Sequence, residues 1–190
     1  WRESREAAAK CLNGKETSAN AKSRLLKTAA RMRREPALRE GVTKAMKEMV
    51  DAGHATPVIP TDMKDNKPRW YLPLHVDTKK PGKFRPCHDG ASRVGGMCLN
   101  DELLTGPDLL NSLVGVLWRF RRHKVAISAD IKGFFHHIYV DENDVQVFRF
   151  WWFKNPDDLE DPCEFQCWVH VFGAKSSCAV STFILRHHGE

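Results

Sequence analysis

The chain has 190 residues, 42% of them hydrophobic and 28% charged, enough to bury the core of one domain or a little more. No apolar run is long enough to span a bilayer and no signal-peptide core opens the chain, so its six cysteines read as reduced thiols of an intracellular protein. The net charge of +6 is split into 21 Lys+Arg against 11 Asp+Glu in residues 1–100 and 9 against 13 beyond, which suits a polyanion-binding lobe joined to a carboxylate-bearing one, or a plain solvated surface.

Residues 1–17 are polar and Ala-rich and read as a ragged end; a start at Trp1 suggests a piece of a longer polypeptide. From Ser18 to Arg34, Ala21, Leu25, Ala29 and Met32 recur at helical spacing, with Arg24, Lys27, Arg31, Arg33 and Arg34 on other faces. Pro36 suits the first turn of a second helix, whose stripe is Leu38, Val42, Ala45, Met46, Met49 and Val50, and Gly53 ends it. The segment 18–53 therefore reads as a packed helical pair.

Beyond Pro57 the chain becomes extended. Trp70–Val76 and Lys83–Arg85, joined by Asp77-Thr-Lys-Lys-Pro-Gly82, form a projecting hairpin within a unit spanning 54–123. Lys79, Lys80, Lys83 and Arg85 near its tip could clamp an anion, or could merely protect an exposed edge. Thr105-Gly-Pro107 opens a helix reaching Phe120, and its Leu and Val content predicts burial. Arg119, Arg121, Arg122 and Lys124 suit that helix's C-terminal end and receive no function.

Lys124-Val-Ala-Ile-Ser-Ala-Asp130 is a run of β-formers ending in a carboxylate, and after a turn the chain is apolar again to Val140. A strand here would hold Asp130 at a sheet edge, a place suited to gripping a hard cation, with Phe135 as a platform beside it. Val145–Trp152 reads as a further strand and Asn155–Pro162 as a loop, so Asp157 and Asp158 are taken as solvated. Cys163–Phe172 alternates as a strand with Cys163, Phe165, Cys167, Val169 and Val171 on one face; Gly173–Cys178 turns into a last helix, Ala179–His188. Cys163, Cys167 and His170 have zinc-like spacing, but on a strand the histidine points away from the thiols, which favours packed thiols. His136, His137, His187 and His188 read as surface or pocket-lining residues. The fold class is α+β, an antiparallel sheet with helices packed on one side.

In order and spacing, several blocks resemble a reverse transcriptase of the BEL/Pao group of long-terminal-repeat retroelements. They are Trp70-Tyr-Leu-Pro73, Lys83-Phe-Arg85 with Asp89-Gly-Ala-Ser92, Leu99-Asn100, Leu104-Thr-Gly-Pro107 before Leu117-Trp-Arg-Phe-Arg121, Ala129-Asp-Ile131, and Val169-His-Val-Phe-Gly-Ala-Lys-Ser-Ser177. The resemblance implies reverse-transcriptase-like fingers and an incomplete palm over 124–190, ending before the Tyr-x-Asp-Asp hairpin of that family. It also implies an intracellular place, in the cytoplasm or a virus-like particle.

By the same resemblance, Asp130 and the Ile131 carbonyl would hold magnesium, two ions in a complete palm. Lys79, Lys80, Lys83, Arg85, Phe135 and Gly173 would bind the nucleotide, with Phe135 screening the sugar 2′ face. Phe172, Lys175 and Ser177 would meet template and primer. The implied partners are an RNA template, a DNA primer, deoxynucleoside triphosphates and other domains of a retroelement polyprotein. With Asp130 as the one matching carboxylate, this chain alone is expected to be inactive, and the alternative is a catalytically dead nucleic-acid-binding remnant.

Overall fold

The computed structural model describes residues 14–59, 68–80 and 82–189. The ragged end expected at 1–17 lies outside them as far as residue 13. Helix α1 (Gly14–Arg34) begins four residues before Ser18 and buries Thr17, Ala21, Leu25, Ala29 and Met32 on one face. Arg31, Arg33 and Arg34 occupy its last turn, where cations complement the helix dipole. Helix α2 (Pro36–Asp51) starts on its proline and buries Leu38, Val42, Met46 and Met49. Gly53, at φ +71°, turns the chain out of the helix as glycine alone does cheaply.

Strands β1 (Ala55–Pro57), β4 (Arg149–Asn155) and β5 (Glu160–Cys167) form an antiparallel sheet in the order β1-β5-β4. Phe150 stands opposite Phe165 and Trp152 opposite Cys163. A second sheet is the hairpin of β2 (Leu74–Asp77) and β3 (Arg85–His88). Leu25, Ala29, Met32, Leu38, Val42 and Met46 from the helices share one core with Leu72, Phe150, Trp152, Phe153, Phe165 and Cys167. The protein is thus mixed α+β with small antiparallel sheets. Among the described residues no helix is long and apolar enough to cross a membrane.

A buried charge ties the segment before the hairpin to the three-stranded sheet. Arg149 is fully buried, and its guanidinium donates to Tyr71 Oη and Glu164 Oε2, both at 3.3 Å, and to Gln146 Oε1. The Tyr71 hydroxyl donates to Glu164 Oε2 at 2.6 Å. Burial, then the bond to Glu164, pushes the Tyr71 phenol up to about 12. Backbone bonds from Leu72 N–H to the Arg149 carbonyl (2.7 Å) and from Arg149 N–H to the Trp70 carbonyl (3.2 Å) fix the segment leading into the hairpin against β4. The ion pair is a positioning device; its desolvation offsets most of its Coulomb gain.

Five expectations are corrected. The helix predicted from Pro107 forms only over Leu113–Phe120 (α4), because the Asp108 carboxylate takes the Leu110 N–H at 3.0 Å in a local turn that competes with helix. It is also uncovered instead of buried: Trp118 is 77% exposed and no α4 residue is buried. The strand expected at 124–130 is absent, since residues 121–131 are irregular and exposed; β-propensity makes a strand only where another strand supplies the ladder. Of the following apolar run, Tyr139 makes a single antiparallel bridge to Val169. Finally, Val145–Phe148 is a 3₁₀ turn, so β4 begins at Arg149, and β5 runs from Glu160 to Cys167 instead of Cys163 to Phe172, with Phe165, Gln166 and Cys167 all buried instead of alternating.

Two further elements complete the chain. A short helix α3 (Leu99–Glu102) follows the hairpin, and α5 (Ser177–Gly189) begins two residues before the expected Ala179.

Candidate functional site

The hairpin's second strand is held at its start against α2. Phe84 lies over α2 so closely that a Cβ on Gly41 would stand 2.0 Å from the ring. The turn closes by the Lys83 N–H to the Lys80 carbonyl at 3.0 Å, and the Asp77 carboxylate accepts the Lys79 N–H at 3.0 Å. Arg85 stands opposite Asp77 across the ladder. Lys79, Lys80, Lys83 and Arg85 are all exposed, as an anion clamp requires.

Below the hairpin, Asp89-Gly-Ala-Ser92 is fastened to α1. Arg24 Nη1 donates to Asp89 Oδ2 at 2.6 Å and Asn20 Nδ2 to Ser92 Oγ at 3.1 Å. The same block receives the glycine turn. Gly173 has φ +106°, and a Cβ on it would stand 1.7 Å from the His88 carbonyl oxygen. No side chain fits there, so the position requires glycine. His88 N–H donates to the Phe172 carbonyl at 3.0 Å.

Asn100, which sequence reasoning quoted only within a block, locks the arrangement. Its Nδ2 donates to the Gly173 carbonyl at 2.9 Å, its Oδ1 accepts the Lys175 N–H at 2.9 Å, and its own N–H donates to the Gly90 carbonyl at 2.9 Å. Gly90 must itself be bare, for a Cβ would meet the Gly173 carbonyl at 2.5 Å. The end of β3, Gly90, Asn100 and Gly173–Lys175 are therefore tied into one hydrogen-bonded unit, and the exposed Lys175 side chain is presented by it.

An aromatic group adjoins this unit. The half-exposed Phe172 ring lies 4.8 Å from that of Phe135, which stacks on Phe134 at 6.1 Å. Gly133, at φ +64°, starts the 3₁₀ turn Phe134–His137 that delivers Phe135. His136 approaches Phe172 at 6.0 Å and His54 at 5.4 Å. Burial first, then the charges of His54 and His137, holds the His136 imidazole below its ordinary range. Ser177, expected to meet template and primer, is buried, and its hydroxyl donates to the Val171 carbonyl at 2.9 Å. It supports the turn from within instead of facing solvent.

The predicted Phe135, Phe172, Gly173 and Lys175 are thus gathered at the foot of the cationic hairpin. Asp130 and Ile131 stand apart in kind: both lie in the exposed irregular stretch, not at a strand end. Asp157 and Asp158 occupy the expected turn, where Asn155 Nδ2 donates to Asp158 Oδ2 at 2.5 Å. Cys167 is buried in the core with its Sγ 3.7 Å from His88 Nε2, and burial pushes its thiol up. His170 Nδ1 instead meets Ser177 Oγ at 3.3 Å.

Among the described residues no group of three or more His, Cys, Asp or Glu is placed to hold a metal ion. Asp130 is the one carboxylate of the candidate set, and a lone carboxylate does not fit a two-magnesium centre. No family model matches the chain, and no curated protein is significantly similar to it.

Proposed function

We propose that the chain is the template-, primer- and nucleotide-binding part of an RNA-directed DNA polymerase of the BEL/Pao kind, its fingers and an incomplete palm. The observation that carries this reading is the shared foundation of two features. An exposed four-cation hairpin and a backbone turn bare of side chain at Gly173 rest on the same residues, His88, Gly90 and Asn100. Arg85 offers a guanidinium fork to a triphosphate, and the lysines add charge that releases counterions from a nucleic-acid backbone. Phe135, held against Phe172, would screen a sugar face, and Lys175 would meet a phosphate.

Two-magnesium nucleotidyl transfer belongs to the family reading, and no step is assigned to it in this chain, whose candidate set has one carboxylate. That same feature favours a second reading, a nucleic-acid-binding remnant without catalysis. The test is retention of labelled deoxynucleotide by the chain preloaded with an RNA–DNA template–primer. Retention of the templated base over the other three, lost in Arg85→Glu, supports the polymerase reading. Retention of the hybrid with no base selectivity supports the remnant, and retention of neither refutes both.

A further inference from the structure

Residues 121–131 form neither helix nor strand and are exposed throughout, with Val125 and Ile127 at 78% and 86%. Within them Lys124-Val-Ala-Ile-Ser-Ala-Asp130 is a β-forming run without a ladder partner among the described residues. A bare run of this kind is a template for another strand. Its own residues select the partner. In an antiparallel register centred on Ile127, the stretch complements itself: Ile127 faces Ile127, Val125 faces Ala129, Ala126 faces Ser128, and Lys124 faces Asp130 at both ends.

Because alternate residues point to opposite faces, Val125, Ile127 and Ala129 of both copies form one apolar face. Both Lys124–Asp130 pairs lie on the other. Parallel in-register pairing would instead bring like charges together. Neither Lys124 nor Asp130 has an ion-pair partner in the chain among the described residues, so both charges are free for a second copy.

We propose that residues 124–130 pair antiparallel with the same residues of a second copy of this chain, making a two-fold dimer. A two-stranded ribbon alone is marginal in water, and the uncovered apolar residues of α4, which ends four residues upstream at Phe120, supply further surface. The proposal does not rest on the polymerase reading. At one group it competes with it, since an Asp130 carboxylate engaged by Lys124 of a second copy is closed to a cation.

Sedimentation velocity over a wide concentration range tests it, with variants at exposed positions that leave the core untouched. The wild-type chain is expected to dimerise reversibly. Lys124→Glu and Asp130→Lys each place like charges in both symmetric pairs and should raise the dissociation constant by on the order of tenfold. The double exchange Lys124→Asp with Asp130→Lys restores opposite charges and should recover the dimer. Ile127→Cys should cross-link under mild oxidation, because residues facing across an antiparallel ladder have the Cα spacing a disulfide needs. A monomer at every concentration, a dimer indifferent to both single reversals, or a double exchange no tighter than the singles would each overturn the proposal.

Discussion

Acid should loosen this protein most through His88. It is the last residue of β3 and is buried, with its ring edge-on to Phe150 at 4.9 Å and its carbonyl pressed on Gly173. Placing a cation there costs so much solvation that the imidazole, ordinarily titrating at 6.5, is pushed down to about 3; the charge of His136 adds to the effect. Between those values the unfolded chain binds a proton that the folded chain refuses. The stability from a neutral His88 is therefore complete above about pH 6.5 and is lost as pH falls towards about 3. The loss from pH 7 to pH 5 comes to about 2 kcal/mol, and the whole gap to about 5 kcal/mol.

Urea unfolding followed by tryptophan fluorescence at pH 7 and pH 5 measures it, comparing wild type with His88→Phe. The variant keeps the contact with Phe150 and removes the titration. His54, His136 and His170, all held below their ordinary range by burial first, titrate in both proteins and cancel in the comparison. The wild type should lose about 2 kcal/mol more than the variant over this interval. Equal losses in the two proteins would refute the reasoning.

Other substitutions probe the Gly173 unit. Gly173→Ala adds a Cβ against the His88 backbone at a left-handed φ and should cost about 3 kcal/mol in urea unfolding; a loss under about 1 kcal/mol would mean the contact can relax. Asn100→Ala leaves the Gly173 carbonyl and the Lys175 N–H without their shared partner, at about 1–2 kcal/mol, and should speed hydrogen exchange at the Lys175 amide. Asn100→Asp keeps the acceptor for that amide and should preserve its protection, whereas equal exchange in Ala and Asp variants would show that the side chain is not what holds the turn.

The parts of the fold written in local pattern were legible. The apolar stripes of α1 and α2, Pro36 at a helix start and Gly53 at a helix end depend on residues close in sequence. The Asp77–Gly82 turn was legible for the same reason. What was missed depends on distant partners. The run at 124–130 has the composition of a strand, yet a strand exists only with its ladder. The helix after Pro107 lost its first turns to the Asp108 carboxylate, a choice between two local bonds that periodicity does not see.

The site divides along the same line. Gly173 was picked out by the block resemblance alone, and its positive φ and close packing give the physical reason a glycine stands there. Asn100 was not, since its role is defined by carbonyl and amide groups 73 and 75 residues away. Arg149 offered no sign of burial either: its partners Tyr71 and Glu164 lie 78 and 15 residues away.

The most direct measurement is a fluorescence-anisotropy titration of a labelled RNA–DNA hybrid at two salt concentrations. It compares the wild-type chain with one carrying Lys79→Glu, Lys80→Glu, Lys83→Glu and Arg85→Glu. The hybrid should bind the wild type with an affinity that falls as salt rises, and at low salt the variant should bind at least about tenfold more weakly with its fold intact. An affinity unchanged by the four reversals would contradict the cationic hairpin as the nucleic-acid-binding surface.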